Sequence, residues 1–444
     1  MPDDGFVQFN KHIIEYMRGV YVLLLISLLG YAGRVGGQES VTITQCYEWA
    51  RANYPQIHQM GLIDQTERYS LSNVGKAWLP QLSVSGKASY QSDVTKLPLD
   101  GDKISSLLPG FEIPSLSKDQ YQVVAQVDQT IWDGGSTRSA RALTRAEAIA
   151  NREQLESELY ALNDRVNQIY FGCLLQDELI RQNALLQKEL QVNIERIKAM
   201  MENGVANQSD LESMEVELLN ARQNEIELRA SRTVYRQMLA TFINKPLTDQ
   251  VVLKTPESPE RSLSTQINRP ELRALDAKSE WIETQNKQVT AGLMPRIGAF
   301  VQGGYGRPGL NMLEDSFEPY YVAGVRLSWN LGKLYTLKND RRKIEVSRRQ
   351  IDVQRETFLF NTRLQLLRQN TEIKKMTDLM RADDDIIRLR TSIKQAAEVK
   401  LENGVISVTD LIREINAEDM ARQTAAAHRV QRLMTIYNYM YTTN

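Results

Sequence analysis

The chain repeats itself at an offset of 200 residues. Glu202-Asn203-Gly204-Val205 recurs as Glu402-Asn403-Gly404-Val405, Asp210-Leu211 as Asp410-Leu411, and Ala221-Arg222-Gln223 as Ala421-Arg422-Gln423. Arg229 and Arg232 return as Arg429 and Arg432, so 11 of the 31 positions from 202 to 232 are identical in constant register. Earlier anchors match too: Pro80 and Tyr90 correspond to Pro295 and Tyr305, and Gly134 to Gly332. The offset falls from 215 to 198 between those anchors, leaving 17 extra residues in the first copy. They fall around Leu97 to Ser117, a Pro-, Gly-, Asp- and Ser-containing stretch that reads as an exposed loop. Two copies are too few for a solenoid, so the duplication points to one pseudo-symmetric unit.

Each copy reads as helix, two strands and two further helices. Repeat one spans 38–243: a helix over 41–78, strands near 81–91 and 120–132, a long helix 134–203 and a returning helix 205–243. A linker covers 244–267. Repeat two spans 268–444, with strands near 296–306 and 320–330, a long helix 333–403 and a returning helix 405–440. Leu155, Leu159, Leu162, Val166, Ile169 and Cys173 are spaced 4, 3, 4, 3 and 4, a coiled-coil seam; Ile344, Ile351 and Phe358 keep a spacing of seven. A helix of 70 residues is about 100 Å long at 1.5 Å per residue, far beyond what a compact globule needs. Gly204 and Gly404 read as stops that turn the chain back.

The strands alternate. Tyr121, Val123, Ala125, Val127, Gln129 and Ile131 oppose Gln120, Gln122, Val124, Gln126, Asp128 and Thr130; Tyr321, Ala323, Val325, Leu327 and Trp329 oppose Val322, Gly324, Arg326 and Ser328. Leu82, Val84, Ala88 and Tyr90 alternate with serines and Lys87. The stretch 297–305 is weaker, because Phe300 falls on the polar side. Such lengths suit tilted strands crossing a bilayer, with Tyr90, Tyr121, Tyr305, Tyr321, Trp132 and Trp329 placed for an aromatic girdle. Four strands cannot close a membrane barrel, and lipid tolerates no open edge, so this reading requires strands shared between subunits. Amphipathic hairpins packed on a soluble core are the alternative.

Met17-Arg18 precedes the apolar run Gly19 to Ala32, too short to span a bilayer and matching a secretory signal within 1–37. A net charge of −1 argues against a nucleic-acid partner. Three histidines and two cysteines leave little for a metal or redox centre. Cys46 and Cys173 read as small apolar residues, with a disulfide left open. Gly304-Tyr305-Gly306-Arg307-Pro308-Gly309 fits a phosphate-loop spacing, but no helix follows it. Arg341-Arg342-Lys343 with Arg348-Arg349 reads as a solvated helix face. Asp383-Asp384-Asp385 has no His or Cys beside it in sequence. No nucleophile–base set stands out, so neither catalytic residues nor a cofactor or metal is expected.

The duplicated plan, the Gly204/Asp210 and Gly404/Asp410 tips, Pro80 and Pro295 before strands, Trp132-Asp133-Gly134-Gly135 after one, and Asn268-Arg269-Pro270-Glu271-Leu272 together resemble the TolC family of outer-membrane factors. The resemblance covers nearly all of 38–444. It implies a homotrimer whose strands form one twelve-stranded membrane β-barrel in outer-membrane lipid, above a long α-helical coiled-coil barrel in the periplasm. It also implies a periplasmic adaptor (membrane fusion) protein and an inner-membrane pump as partners. The implied function is an exit duct for small molecules in a tripartite efflux system. A duct for type I protein secretion is the alternative, and an exported coiled-coil protein without a pore is one of another class. By position Asp410 and Asp210 match the family's periplasmic gate acids, while Arg413, with Glu414 beside it, stands where a further acid is usual. The residues that usually latch the hairpins fall on Leu401 and Ile406. An aspartate six residues after a helix-stop glycine also suits a simple helix-dipole partner. Gly204, Val205, Ala206, Gly404, Val405 and Ile406 are candidates for adaptor contact, the glycines serving equally as caps.

Overall fold

A computed structural model describes residues 40–95, 116–258, 266–312 and 314–444. The expected secretory segment and residues 97–115 of the expected loop lie outside them. Of the two loop residues described, Leu116 is buried rather than exposed, and the Ser117 hydroxyl donates to Asp315 at 2.5 Å. The chain divides into two compact units, one of residues 1–53, 162–262 and 371–438, the other of 54–161, 263–370 and 439–444.

The first unit begins with β1 (Ser40–Val41) and α1 (Ile43–Asn53), and continues with α4 (Leu162–Glu202), α5 (Gln208–Ile243) and β4 (Val252–Leu253). It ends with the distal part of α7 (Lys333–Glu402) and most of α8 (Val408–Thr443). One core joins α1, α4 and α5 through Ile43, Cys46, Val166, Tyr170, Phe171, Cys173, Leu239 and Ile243. The linker contributes more than a crossing: β4 pairs in parallel with β1, and the Tyr170 hydroxyl lies 2.9 Å from the Val41 carbonyl and 2.7 Å from that of Lys254. Both cysteines are free and buried in this core, where burial pushes each thiol up to about 12.

The second unit contains α2 (Gln59–Gly75), β2 (Gln81–Tyr90), β3 (Asp119–Trp132), α3 (Ser136–Tyr160), α6 (Pro270–Ala291), β5 (Arg296–Arg307), β6 (Glu318–Ser328) and the proximal part of α7. Pro55 ends α1: a residue before proline is driven out of the helical region, and Tyr54 sits at φ −68°, ψ 127°. The helix expected over 41–78 is therefore two helices with short 3₁₀ turns. The helix expected over 134–203 also lapses once, at Ala161, although its dihedrals stay helical. Pro270 opens α6 at a first-turn position, where its missing N–H costs nothing. Beside it Arg269 pairs with Glu271 (Nε to Oε2 2.9 Å) and lies 4.4 Å from the centroid of the Tyr441 ring. Ile344 and Ile351 of the seven-residue series bury against Ile282 of α6.

The strands form one antiparallel sheet in the order β2-β3-β5-β6, so the hairpins of the two repeats join through β3 and β5. Register fixes the faces. Leu82 faces Val127, Val127 faces Val301, and Val301 faces Ala323, all on one side. Gln126 faces Gln302 on the other, with Asp128 opposite Phe300 and Gly298 opposite Arg326. The register shifts between Thr130 and Trp132, and this bulge brings Trp132 opposite Ile297 on the apolar side. Among the described residues β2 and β6 each keep one unpaired edge.

Candidate functional site: two hairpin tips and a two-faced sheet

Both tips lie in the first unit and share one construction. Gly204 (φ +73°) and Gly404 (φ +68°) adopt the left-handed conformation that glycine enters without strain. The N–H of Gly204 bonds the Met201 carbonyl and that of Val205 the Met200 carbonyl (2.9 and 2.8 Å); Gly404 and Val405 repeat this on Leu401 and Lys400 (2.9 Å each). These bonds satisfy the last carbonyls of each outgoing helix. Three residues later the returning helix starts with a reciprocal cap. Asn207 Oδ1 accepts from the Asp210 N–H, and Asp210 Oδ2 from the Asn207 N–H, both at 3.0 Å. In the second tip Ser407 Oγ accepts from the Asp410 N–H at 3.2 Å, while Asp410 Oδ2 accepts from the Ser407 hydroxyl at 2.8 Å and N–H at 3.2 Å.

The cap accounts for much of what the two aspartates do. Bonds from the Ser407 hydroxyl and N–H, with Arg413 nearby, hold the Asp410 carboxyl below the usual carboxylate range. Arg413 lies between two acids, 3.4 Å from Asp410 and 3.4 Å from Glu414, and Glu414 also meets Arg390 at 3.5 Å. Val205 and Val405 are exposed, whereas Ala206 and Ile406 are half-buried. Leu401, 3% exposed, sits with Ile406 in one cluster that also holds Ile194, Ile197, Met214 and Leu411, so the two hairpins pack together here.

Sequence reasoning missed two polar features of this unit. Lys394 Nζ reaches Glu418 at 2.6 Å and also bonds Glu189 of the other hairpin, while Arg422 bonds Glu418 and, at 3.2 Å, Thr391. The available signal was Lys394 itself, three and seven residues before the buried Ala397 and Leu401. The aspartate run also has a histidine neighbour in space: His428 Nδ1 lies 2.7 Å from Asp383 Oδ2. The two are 45 residues apart in sequence, which is why the run read as isolated. They make a pair only; no group of three or more metal-ligating side chains occurs among the described residues.

On the apolar face of the sheet Leu82, Val84, Val123, Val301, Val325 and Leu327 are all exposed, Val325 at 70%. Tyr121 and Tyr305 stack on Phe317 with centroids 6.4 and 5.7 Å apart. The Trp329 indole N–H donates to the Leu293 carbonyl at 2.9 Å. A continuous apolar face with aromatic rings toward the strand ends suits lipid rather than water. No helix among the described residues is long and apolar enough to cross a membrane.

Residues 46–245 match the family model of the outer membrane efflux proteins. Over this stretch the chain is similar to the TolC-like outer membrane factors. Among solved structures, that of CusC, a transmembrane channel, superposes with a TM-score of 0.64 at 13% identity, over 90% of this chain and 92% of that one. The outer membrane protein VceC of Vibrio cholerae gives 0.60 at 12% identity, covering 90% and 95%. The open MtrE outer membrane channel of Neisseria gonorrhoeae gives 0.62 at 14%, covering 90% and 88%. At such identities the likeness speaks for the fold, and it extends to both repeats. No curated protein matches the sequence.

Proposed function

We propose that three copies of the chain assemble as an exit duct in the outer membrane, carrying small toxic molecules outward from a periplasmic adaptor and an inner-membrane pump. The carrying observation is the sheet: one apolar face is exposed on all four strands, and both outer edges are unpaired among the described residues. Lipid accepts the face but not the edges. Pairing β6 of one copy with β2 of the next satisfies both, and three copies of four strands make a twelve-stranded barrel. The polar face then lines its lumen, the helices form the periplasmic tunnel, and no step needs a catalytic group. The family's description as efflux proteins favours small cargo over secreted polypeptides.

In this reading Asp410 and Asp210, with Arg413 and Glu414, line the periplasmic gate. Gly204, Val205 and Ala206, with Gly404, Val405 and Ile406, meet the adaptor. Asp410 serves as cap and gate residue together, since its Oδ1 is turned toward Arg413 while Oδ2 caps the helix. Asp410→Ala should lower cation preference in planar bilayers, and Ile406→Asp should raise resting conductance by placing like charges in the packed tip.

The sheet supplies the direct test. Ala125 shares the exposed face with Val123 and Val127, whereas Gln126 points to the polar one. Arginine at Ala125 should cost about 2–4 kcal/mol near the bilayer midplane, and arginine at Gln126 should be tolerated. The yield of heat-resistant, detergent-extracted trimer measures this, and equal yields would discard the membrane assignment.

A further inference from the structure

Phe300 is an aromatic ring out of pattern, and its surroundings show what it holds. At the Arg296 end of β5 the polar face carries a cavity of about 310 Å³, bordered by Asp128, Thr130, Arg296, Phe300, Arg326 and Ser328. The Arg326 guanidinium carbon lies 4.8 Å from the Phe300 centroid. A guanidinium held against a ring keeps its N–H donors free at the edges. Glycines make the room: Gly324 stands opposite Phe300, where an added Cβ would come within 3.1 Å of the ring, and Gly298 stands opposite Arg326.

The charges in this niche are unevenly committed. Arg326 has one ion pair, with Asp128 at 4.0 Å between exposed side chains, a contact of little strength. The Arg296 side chain has no hydrogen bond or ion pair among the described residues, although its backbone pairs with Ser328. Asp133 also borders the cavity, but its two oxygens accept the N–H groups of Gly135 (2.9 Å) and Thr137 (2.6 Å) where α3 begins. Along the strands the polar face bears Lys87, Arg296 and Arg326 against Asp128 and Glu318, the latter at the far end of β6.

We infer that this niche is an anion-selecting station inside the duct, receiving a carboxylate, sulfonate or phosphate group of the cargo between Arg296 and Arg326. Thr130 and Ser328 offer hydroxyl donors beside them, and Phe300 positions Arg326. The inference rests on the duct reading and deepens it by naming the cargo's chemical class. The station acts against the acidic tips: the tips draw cations, and the barrel passes anions.

Planar-bilayer recording of the purified trimer with citrate as probe tests it. Citrate should block the wild-type current. Arg296→Gln with Arg326→Gln should raise the half-blocking concentration about tenfold or more and move the reversal potential in a KCl gradient toward cations. The double Lys variant should retain the block, Asp128→Asn should strengthen it, and Phe300→Leu should weaken it in part. Unchanged block and reversal potential in the double Gln variant, with normal trimer yield, overturn the station while leaving the duct intact. A wild-type trimer without conductance steps instead overturns the duct. Calorimetric citrate binding to the detergent-solubilised protein then decides the niche: loss in the double Gln variant upholds it, and no change rejects it.

Discussion

The two hairpins have the same turn and opposite seams. At the tips the backbone is the same, while the cap differs, Asn207 in one and Ser407 in the other, as do Ala206 and Ile406 beside it. About three to four helical turns from the tip glycine, hairpin one buries Leu190 and Ile194 on α4 and Met214 and Leu218 on α5 in one apolar cluster. At the positions 200 residues on, hairpin two has Arg390 and Lys394 on α7 facing Glu414 and Glu418 on α8, as two ion pairs of 3.5 and 2.6 Å. The duplication kept the geometry of the turn and exchanged an apolar seam for a charged one. An apolar seam is held by area and tolerates sliding. A charged seam with a buried member is held by partner identity, because a stranded charge has no substitute partner. The Glu418 side chain is 3% exposed and that of Lys394 is 13%, so each depends on the other, with Glu189 as second partner of Lys394 and Arg422 and Thr391 as further partners of Glu418.

The largest effect should come from breaking one half of that pair. Glu418→Ala should destabilise the folded chain by about 2–3 kcal/mol, because it leaves Lys394 with Glu189 alone and takes the acid from Arg422. Copying hairpin one, with Lys394→Ile and Glu418→Leu together, should recover most of the loss. Denaturant unfolding of the two single variants and the double completes a cycle; additive losses would show that the seam is not held by this pair. A smaller effect should fall equally on both hairpins. Gly204→Ala and Gly404→Ala each force a side chain into the left-handed region at roughly 1–2 kcal/mol. In neither case does the new Cβ meet another atom, so unequal losses would mean that one tip carries strain its dihedrals do not show.

The smallest effect is in pH. Hairpin two has Asp419 where hairpin one has Leu219, and burial pushes that carboxyl up to about 6 against a bond from Gln423. Its unfolded value is about 3.9, so between the two the folded chain takes up a proton that the unfolded chain does not. Asp419 should therefore add stability as the pH falls from about 7 to about 4, and withdraw it as the pH rises through 6. The difference in unfolding midpoint between wild type and Asp419→Asn should widen in favour of wild type on acidification. The Asp410 carboxyl, held low, acts with the opposite sign and only below that window. A flat difference across the range would show that Asp419 is hydrated in the folded chain.

What the sequence revealed and concealed follows from the range of each interaction. Gly204 and Gly404, Pro270 and the seam from Leu155 to Cys173 act through neighbours a few residues away, so their spacing exposes them. Strand faces were readable because alternation has a period of two, and Phe300 was readable as a misfit. Its reason was not, since Arg326 and Gly324 lie on another strand. The Lys394–Glu189 and His428–Asp383 contacts join segments that only packing brings together. Tyr54 shows a signal present but underweighted: Pro55 was in view, and a proline's hold on its predecessor should have divided the first helix.

The sheet's strand directions also bear on arithmetic. All three pairings are antiparallel, so β2 and β6 run in opposite senses at the two rims. In the proposed ring a neighbour placed head to tail would therefore meet the rim in the same antiparallel sense that operates inside the chain. An odd number of strands per copy would have set like against like at every junction. Gene duplication, by making four from two, kept the parity that ring closure demands and halved the number of separate chains a ring of given girth must recruit.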